Sequence, residues 1–389
     1  MPFTVAIIGS GPAGLMAAEA LSAQGVQVDI YERMPSPARK FLMAGRGGLN
    51  LTHSEPFERF IGRYGKKATQ LRPALEAFPP SALRAWADGL EADTFAGSSG
   101  RVFPKAMKAS PLLRAWLARL ETQGVKLHTR AEWQGWDGNG RPLVNGQAVA
   151  ADVTVLALGG ASWPRLGSDG GWVDTLANKG VKIAPLKAAN AGFQVAWSAH
   201  FRDRFGGEPL KTVALRFADR EAKGEVMLTR YGVEGGAIYA LSGPLRDAIA
   251  RDGHADLVID LKPEFDAAQV ENRMKRASPK DSRSNRLRKA LNLSPAAIAL
   301  MSETGSDDAK SVAVRLTAMQ GLERAISTAG GISFDAVTPD FELQALPGVY
   351  AIGEMLDWEA PTGGYLLQAC FATAIWAARA IMRETASRA

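Results

Sequence analysis

The sequence predicts an α/β protein in which one domain is interrupted by a second and then completed. Three observations predict it. A strand, a glycine-rich turn, a helix and another strand follow one another within residues 5–32. From about Ala189 the texture changes to short β-like runs separated by turn residues. After Gly330-Gly331-Ile332 the α/β texture returns and closes on a long helix. The outer domain is therefore expected over 1–188 and 330–389. The insert spans 189–329, β-rich over 189–262 and mainly helical over 263–325.

Each element has a local reason. Residues 5–9 form an apolar run without alternation, which suits a strand buried on both faces. Residues 12–24 are Ala-rich and read as a helix ending before Gly25, and residues 26–32 as a second strand. Together they make a right-handed βαβ unit. A helix is expected to start at Ser110-Pro111, with serine as the cap and proline at the first helical position. Leu112, Leu113, Trp116, Leu117 and Leu120 mark its apolar face. Residues 125–129 and 153–158 read as further strands, the second ending in Gly159-Gly160. In the insert, residues 212–217, 225–229 and 256–261 are β-like. Near the C-terminus, residues 348–354 read as a strand and about 364–384 as a helix.

Composition sets the class. Hydrophobic residues make up 46% and charged residues 22% of the 389 residues, the usual balance of a globular protein. No unbroken run of eighteen apolar residues occurs, so no transmembrane helix and no membrane partner are expected. The N-terminus lacks a basic region and a cleavage site, so no signal peptide is expected and a cytoplasmic location is the default. The single cysteine, Cys370, excludes an internal disulfide and a Cys-x-x-Cys pair. No metal site is expected. The net charge of +6 is uneven. Arg273, Lys275, Arg276, Lys280, Arg283, Arg286, Arg288 and Lys289 lie in one window with one acid, Asp281, so that window carries +7 and the rest of the chain −1. The window reads either as a solvated helix face or as a patch for an anionic substrate, a phosphate or RNA. No aromatic residue interleaves with its charges, which weighs against single-strand stacking. No DNA partner is expected.

The chemistry begins at Gly9-Ser10-Gly11-Pro12-Ala13-Gly14, a G-x-G-x-x-G between strand and helix. Gly9 permits the tight turn, Gly11 lets the backbone approach a pyrophosphate, and Gly14 lets helix and strand pack closely. The phosphates then face unpaired N–H groups at the positive end of the helix. Glu32 ends the second strand, where an acid accepts hydrogen bonds from ribose hydroxyls and repels a 2′-phosphate. This motif alone fits NAD or FAD. Three features choose FAD. Arg39-Lys40 follow Glu32 and suit the far side of the pyrophosphate or the adenosine. Gly45-Arg46-Gly47-Gly48-Leu49-Asn50 offers backbone amides and Asn50 to a ribityl chain or flavin ring. The strand 348–354 leads through Pro361-Thr362-Gly363-Gly364-Tyr365 into the last helix. Glycines there allow close approach of a planar ring, and the helix dipole favours negative charge on the reduced flavin.

These segments resemble a known family. With Tyr31-Glu32, Gly100-Arg101-Val102-Phe103-Pro104, residues 156–160, 231–242 and 353–368, they are similar to bacterial FAD-dependent flavoproteins grouped with aminoacetone oxidase and a bile-acid-reducing enzyme, within the glutathione-reductase-like superfamily. The resemblance implies a Rossmann-like three-layer FAD-binding domain of helices, parallel sheet and β-meander. It further implies an inserted β-rich domain and a small helical bundle. It places Gly9, Gly11, Ala13, Gly14, Glu32, Arg39 and Lys40 on the ADP half of FAD. It places Gly47, Gly48, Asn50, Gly353, Glu354, Gly363, Gly364 and Tyr365 around the flavin half. Trp133 stands where a backbone group usually meets adenine. Pro12, Arg33, Gly159 and Gly160 complete the candidate cofactor-binding set. Where the family often reads Gly-Gly-Gly-Arg-Cys-Asn, this chain has Leu49 in place of the cysteine, so no thiol acts there.

No catalytic residue is assigned. His53 follows the glycine turn and is a candidate proton donor or a second-layer histidine. His128, His200 and His254 carry no signal. Arg101 and Lys105 flank a loop that either covers the ring or is a surface turn. Tyr231 and Tyr239 are candidate acids in the insert or packing residues. Gly167-Ser168-Asp169-Gly170-Gly171 lacks dinucleotide spacing, so NAD(P)H, as a transient electron donor, is expected to dock on the open face of the flavin. The expected activity is an FAD-dependent oxidoreductase. It transfers hydride between NAD(P)H or a small organic donor and an organic acceptor or oxygen. The alternatives are an RNA-modifying flavoprotein using the 273–289 segment, or a flavin-binding protein without turnover.

Overall fold

The computed structural model describes residues 3–388, with side chains to 385. Met1 and Pro2, part of the signal-peptide reading, and Ala389 lie outside the described residues. Two compact units are present. One joins the chain up to Lys187 with the chain from Ser327 onward, and the other runs Ala188–Ile326. The sequence reading put these boundaries at 188/189 and 329/330.

The first unit is built on a five-stranded parallel sheet. Its order is Val349–Ala351, Val153–Leu156, Thr4–Ile8, Gln27–Glu32, Lys126–Thr129. Thr4–Ile8 lies at the centre, and Val5 to Ile8 are all buried, as an apolar run between two covered faces must be. The C-terminal strand thus completes a sheet begun by the N-terminus. Helix Pro12–Ser22 starts with proline at its first turn and ends two residues earlier than expected. It packs against the final helix, Tyr365–Arg388, and both helices bury small residues, Ala17 and Ala18 on the first and Ala374, Ala377 and Ala378 on the last. A three-stranded antiparallel meander, Trp133–Trp136, Pro142–Val144 and Gln147–Ala148, belongs to the same unit. This is the Rossmann-like three-layer domain. The stretch Tyr365–Thr385 is long and apolar enough to cross a membrane by length and composition, yet 61% of its most apolar part is buried inside the protein. Arg379 and Arg383 interrupt it, which is why no unbroken apolar run appears in the sequence.

Two boundaries differ from expectation. The helix read as capped by Ser110 begins at Ala109, and its cap residue Lys108 makes no side-chain cap bond. The strand read over 348–354 is only Val349–Ala351, because Gly353 takes φ +71 and opens a short 3-10 turn, Gly353–Met355.

The second unit is a seven-stranded antiparallel sheet with its own apolar core and six helices among the described residues. Its helices Ala267–Arg276, Arg283–Leu291 and Pro295–Glu303 carry the basic window and its continuation. The mainly helical reading of 263–325 needs correction beyond Glu303. Val312–Leu316 is a strand paired with Ala255–Asp260, and Ala318–Met319 is another. Val312, Val314 and Leu316 are buried while Ala313 and Arg315 are exposed, a period-two pattern masked in sequence by its polar surroundings.

Candidate functional site

The glycine turn is built by contacts that only glycine permits. Gly9 has φ +102, and a Cβ there would meet the Ala157 carbonyl oxygen at 2.5 Å. A Cβ on Gly14 would lie 2.0 Å from the Gly9 carbonyl oxygen, so the helix sits directly on the turn. Gly11 differs: nothing lies within 4 Å of its Cβ position, so this side of the turn is open. Glu32 accepts from the Ser10 N–H at 3.1 Å, the Ser10 hydroxyl at 2.5 Å and the Met34 N–H at 2.8 Å. The acid at the end of the second strand therefore also fixes the turn beside it.

One pocket gathers much of the candidate set. Gly9, Gly11, Pro12, Ala13, Glu32, Arg33, Arg39, Lys40, Trp133, Gly159 and Glu354 all line it. Two of its donors, Arg39 Nε and Trp133 Nε1, are buried without a hydrogen-bond partner among the described residues. Buried donors are nearly always satisfied, so a pocket that leaves two facing no acceptor suits a ligand rich in acceptors. The open Gly11 and the unpaired amides of the first helix suit its phosphates. The residues present thus fit the ADP part of FAD. Sequence reasoning missed Ser36, Ser168, Asp169, Trp172 and Cys370, which also line the pocket. The glycine-rich spacing of 167–171 was the available signal for two of them, Ser168 and Asp169. Asp169 pairs with Arg33 at 2.8 Å, and the Trp172 indole donates to the Gly159 carbonyl at 2.9 Å.

Lys40 and Glu354, read as belonging to different halves of the cofactor, meet in this pocket. Lys40 Nζ lies 2.5 Å from Glu354 Oε2 and 2.9 Å from the Ser162 hydroxyl. Glu354 also accepts from the Thr328 N–H at 3.0 Å and the Gly160 N–H at 3.4 Å. This pair ties the N-terminal βαβ segment to the C-terminal turn. Burial, then the Glu354 carboxylate, push the neighbouring Cys370 thiol up to about 12 against the opposing pull of Lys40.

The other candidates lie outside the pocket lining. Gly14 stands behind the turn, Gly160 against Thr328, and Gly353 against Ala13. Gly47 is open, and Gly48 faces Met107. Asn50 donates to the carbonyls of Thr52 at 2.9 Å and Val102 at 3.1 Å, holding the short sheet around Thr52–His53. Gly364 has φ +94, and a Cβ on it would lie 2.4 Å from Thr52 Cα. The room left by its missing side chain is thus taken by protein backbone, and that left by Gly363 by the Tyr365 ring. Tyr365 is buried, stacks on His53 with centroids 5.6 Å apart, and donates to Glu55 Oε1 at 2.5 Å. Arg63 reaches the same carboxylate at 3.0 and 2.7 Å. Burial opposes ionisation of Glu55, but the hydrogen bonds from Arg63 and Tyr365 hold its carboxyl below the usual range. Burial, with Glu55, pushes the Tyr365 phenol up.

Among the candidate acids, both His53 nitrogens are engaged. Nδ1 accepts from the Glu55 N–H at 3.1 Å, and Nε2 lies 3.0 Å from the Ser99 carbonyl. Arg101 is exposed, and Lys105 pairs with Asp93 at 3.6 Å. In the second unit Tyr231 donates to Glu234. Burial and Glu234 push both phenols up, Tyr239 to about 12.

With this geometry in place, known proteins give a consistent comparison. The model of the family described as HI0933-like protein Rossmann domain matches residues 3–380. The chain is 26% identical to the 3-dehydro-bile acid delta(4,6)-reductase of Clostridium scindens, over 97% of this chain and 98% of that protein. It is 22% identical to the ribosomal RNA dihydrouridine synthase of Haemophilus influenzae, over 97% and 98% of the two chains. Among solved structures it is similar to the open conformation of a flavocytochrome c3 fumarate reductase. The TM-score there is 0.53 at 16% identity, covering 97% of this chain and 78% of that one. The chain belongs to the HI0933-like Rossmann-domain family, and it is an FAD-dependent oxidoreductase.

Proposed function

We propose that this enzyme reduces a carbon–carbon double bond conjugated to a carbonyl in an organic acceptor, with NAD(P)H as the electron donor. The observation that carries the reading is the pocket of the first unit, with its open Gly11 and two buried donors facing no protein acceptor. Its chemical direction is supported by two full-length relatives whose names both describe saturation of such a bond, a delta(4,6)-reductase and a dihydrouridine synthase. When bound, FAD supplies two-electron transfer between donor and acceptor. The chain's residues do the rest. Gly9, Gly11 and the first-helix amides receive the pyrophosphate. Arg39 and Trp133 donate to acceptor atoms of the ADP part, and the Lys40–Glu354 pair holds the two chain ends around it. The chain has no second G-x-G-x-x-G, so NAD(P)H would have to reach the flavin without a dinucleotide motif of its own.

A second reading makes the reducible bond part of a pyrimidine in RNA. The observation favouring it is the set of basic side chains on the second unit's helices that have no carboxylate partner. The test is anaerobic stopped-flow. NADH or NADPH should bleach the flavin band, and a conjugated enone should restore it while the matching saturated ketone does not. Equal reoxidation by both compounds, or no bleaching by either nucleotide, would reject the proposal.

A further inference from the structure

The whole positive net charge of the chain is concentrated on one pair of helices. Ala267–Arg276 and Arg283–Leu291, with the turn between them, hold all eight basic residues of the window. Three have carboxylate partners: Lys275 with Glu271 at 2.6 Å, Lys289 with Asp281 at 2.9 Å and Arg283 with Asp307 at 2.9 Å. The other five have none among the described residues. Arg273 lies over the Phe265 ring at 4.1 Å, Arg286 donates to the Met274 carbonyl at 3.5 Å, and Arg288 to Asn285 at 3.1 Å. Arg276 and Lys280 are exposed. Between the helices runs a groove lined by Asn272, Arg273, Arg276, Ser278, Asp281 and Lys289. A surface that folds with five like charges unneutralised carries a self-repulsion that a polyanion relieves.

We infer that this groove is a docking surface for the phosphate backbone of structured RNA, an inference that rests on the second reading above. Arginine forks match phosphate oxygens in pairs, and Asn272 and Ser278 add neutral donors suited to sugar hydroxyls and phosphates. No aromatic residue lines the groove, and the Phe265 ring is covered by Arg273, so bases have no stacking platform and a helical backbone is the part recognised. A membrane surface is disfavoured because none of the exposed large apolar side chains, Leu42, Phe95, Met107 and Ile326, lies on these helices.

The experiment is fluorescence anisotropy of a labelled RNA hairpin with the FAD-loaded protein, across a salt series. A DNA hairpin of the same sequence and anionic phosphatidylserine vesicles form the other arms. Five phosphate contacts predict a loss of affinity of about 500-fold between about 50 and about 200 mM salt. The triple variant Arg276→Gln, Lys280→Gln, Arg288→Gln should weaken binding at least about tenfold and lower the salt slope by about 2–3. Its flavin spectrum and circular dichroism should match wild type. Arg276→Lys with Arg288→Lys, which keeps the charge, should restore most of the slope. RNA binding with this signature but no reduction of uracil would reject the second reading and leave the docking surface standing. The inference is overturned if the hairpin does not bind at about 50 mM salt, if the triple variant binds unchanged, or if DNA or vesicles bind as tightly as RNA.

Discussion

At the scale of single residues, Glu32 has a double position. It lines the cofactor pocket, and it holds Ser10 and Met34 through three hydrogen bonds. Removing the carboxylate therefore loses a ribose acceptor and loosens the turn that receives the pyrophosphate. Hydrogen bonds to a charged group contribute roughly 1.5–3 kcal/mol, so Glu32→Ala should raise the FAD dissociation constant by about 10–150-fold. Glu32→Gln, which keeps one acceptor oxygen, should fall between. Fluorescence titration of the apoprotein measures both, and an unchanged constant for Glu32→Ala would mean that the βαβ turn does not hold the dinucleotide. The flavin absorption maximum of both variants should match wild type, because Glu32 serves the ADP part and stands away from the ring.

At the scale of elements, two glycines that look alike in sequence have opposite surroundings. Gly364 opens the final helix with φ +94 and no room for a Cβ against Thr52. Gly11 opens the first helix with φ −71 and empty space around its Cβ position. Gly364→Ala should destabilise the first unit by on the order of 3 kcal/mol, from left-handed backbone strain together with overpacking. Gly11→Ala should leave unfolding of the apoprotein unchanged and weaken FAD binding. Urea unfolding of the apoproteins separates the two, and equal midpoints would show that the turn at Gly364 does not pack on strand Thr52–His53. The same contrast shows how much of the site could be read in advance. The βαβ unit and the place of Glu32 at the end of its second strand were legible because strand, turn and acid occur at spacings set by backbone geometry. The Lys40–Glu354 pair was not, since 314 residues separate its partners and no local periodicity encodes such a meeting. Strand Val312–Leu316 was missed because its alternation spans five residues inside a polar stretch, whereas its pairing with Ala255–Asp260 is a tertiary fact. The direction of a missing Cβ, toward open space at Gly11 and toward protein at Gly364, is likewise fixed only by the fold.

At the scale of the whole molecule, the chain holds two apolar cores rather than one. The first joins Ile7, Leu15, Ile30, Tyr350 and Phe371, drawn from both ends of the sequence, and the second joins Leu215, Leu228, Leu257, Leu300 and Val314 from the insert. The five-stranded sheet lies in the first unit and the seven-stranded sheet in the second, so each unit has a hydrogen-bonded core with the means to unfold cooperatively by itself. The proposed cofactor residues all belong to the first unit and the basic groove to the second. A ligand that binds one folded unit stabilises that unit alone, by about 2.7 kcal/mol when its free concentration is a hundred times its dissociation constant. Differential scanning calorimetry of the apoprotein should therefore resolve two transitions, and added FAD should raise one of them by roughly 5–10 °C. Leu257→Ala identifies the other. Leu257 is fully buried in the second core, and its truncation should cost about 2–5 kcal/mol, lowering only the transition that FAD leaves in place. If one transition appears and moves as a whole with both FAD and Leu257→Ala, the units fold as a single cooperative body. FAD would then stabilise the insert as strongly as the domain that binds it.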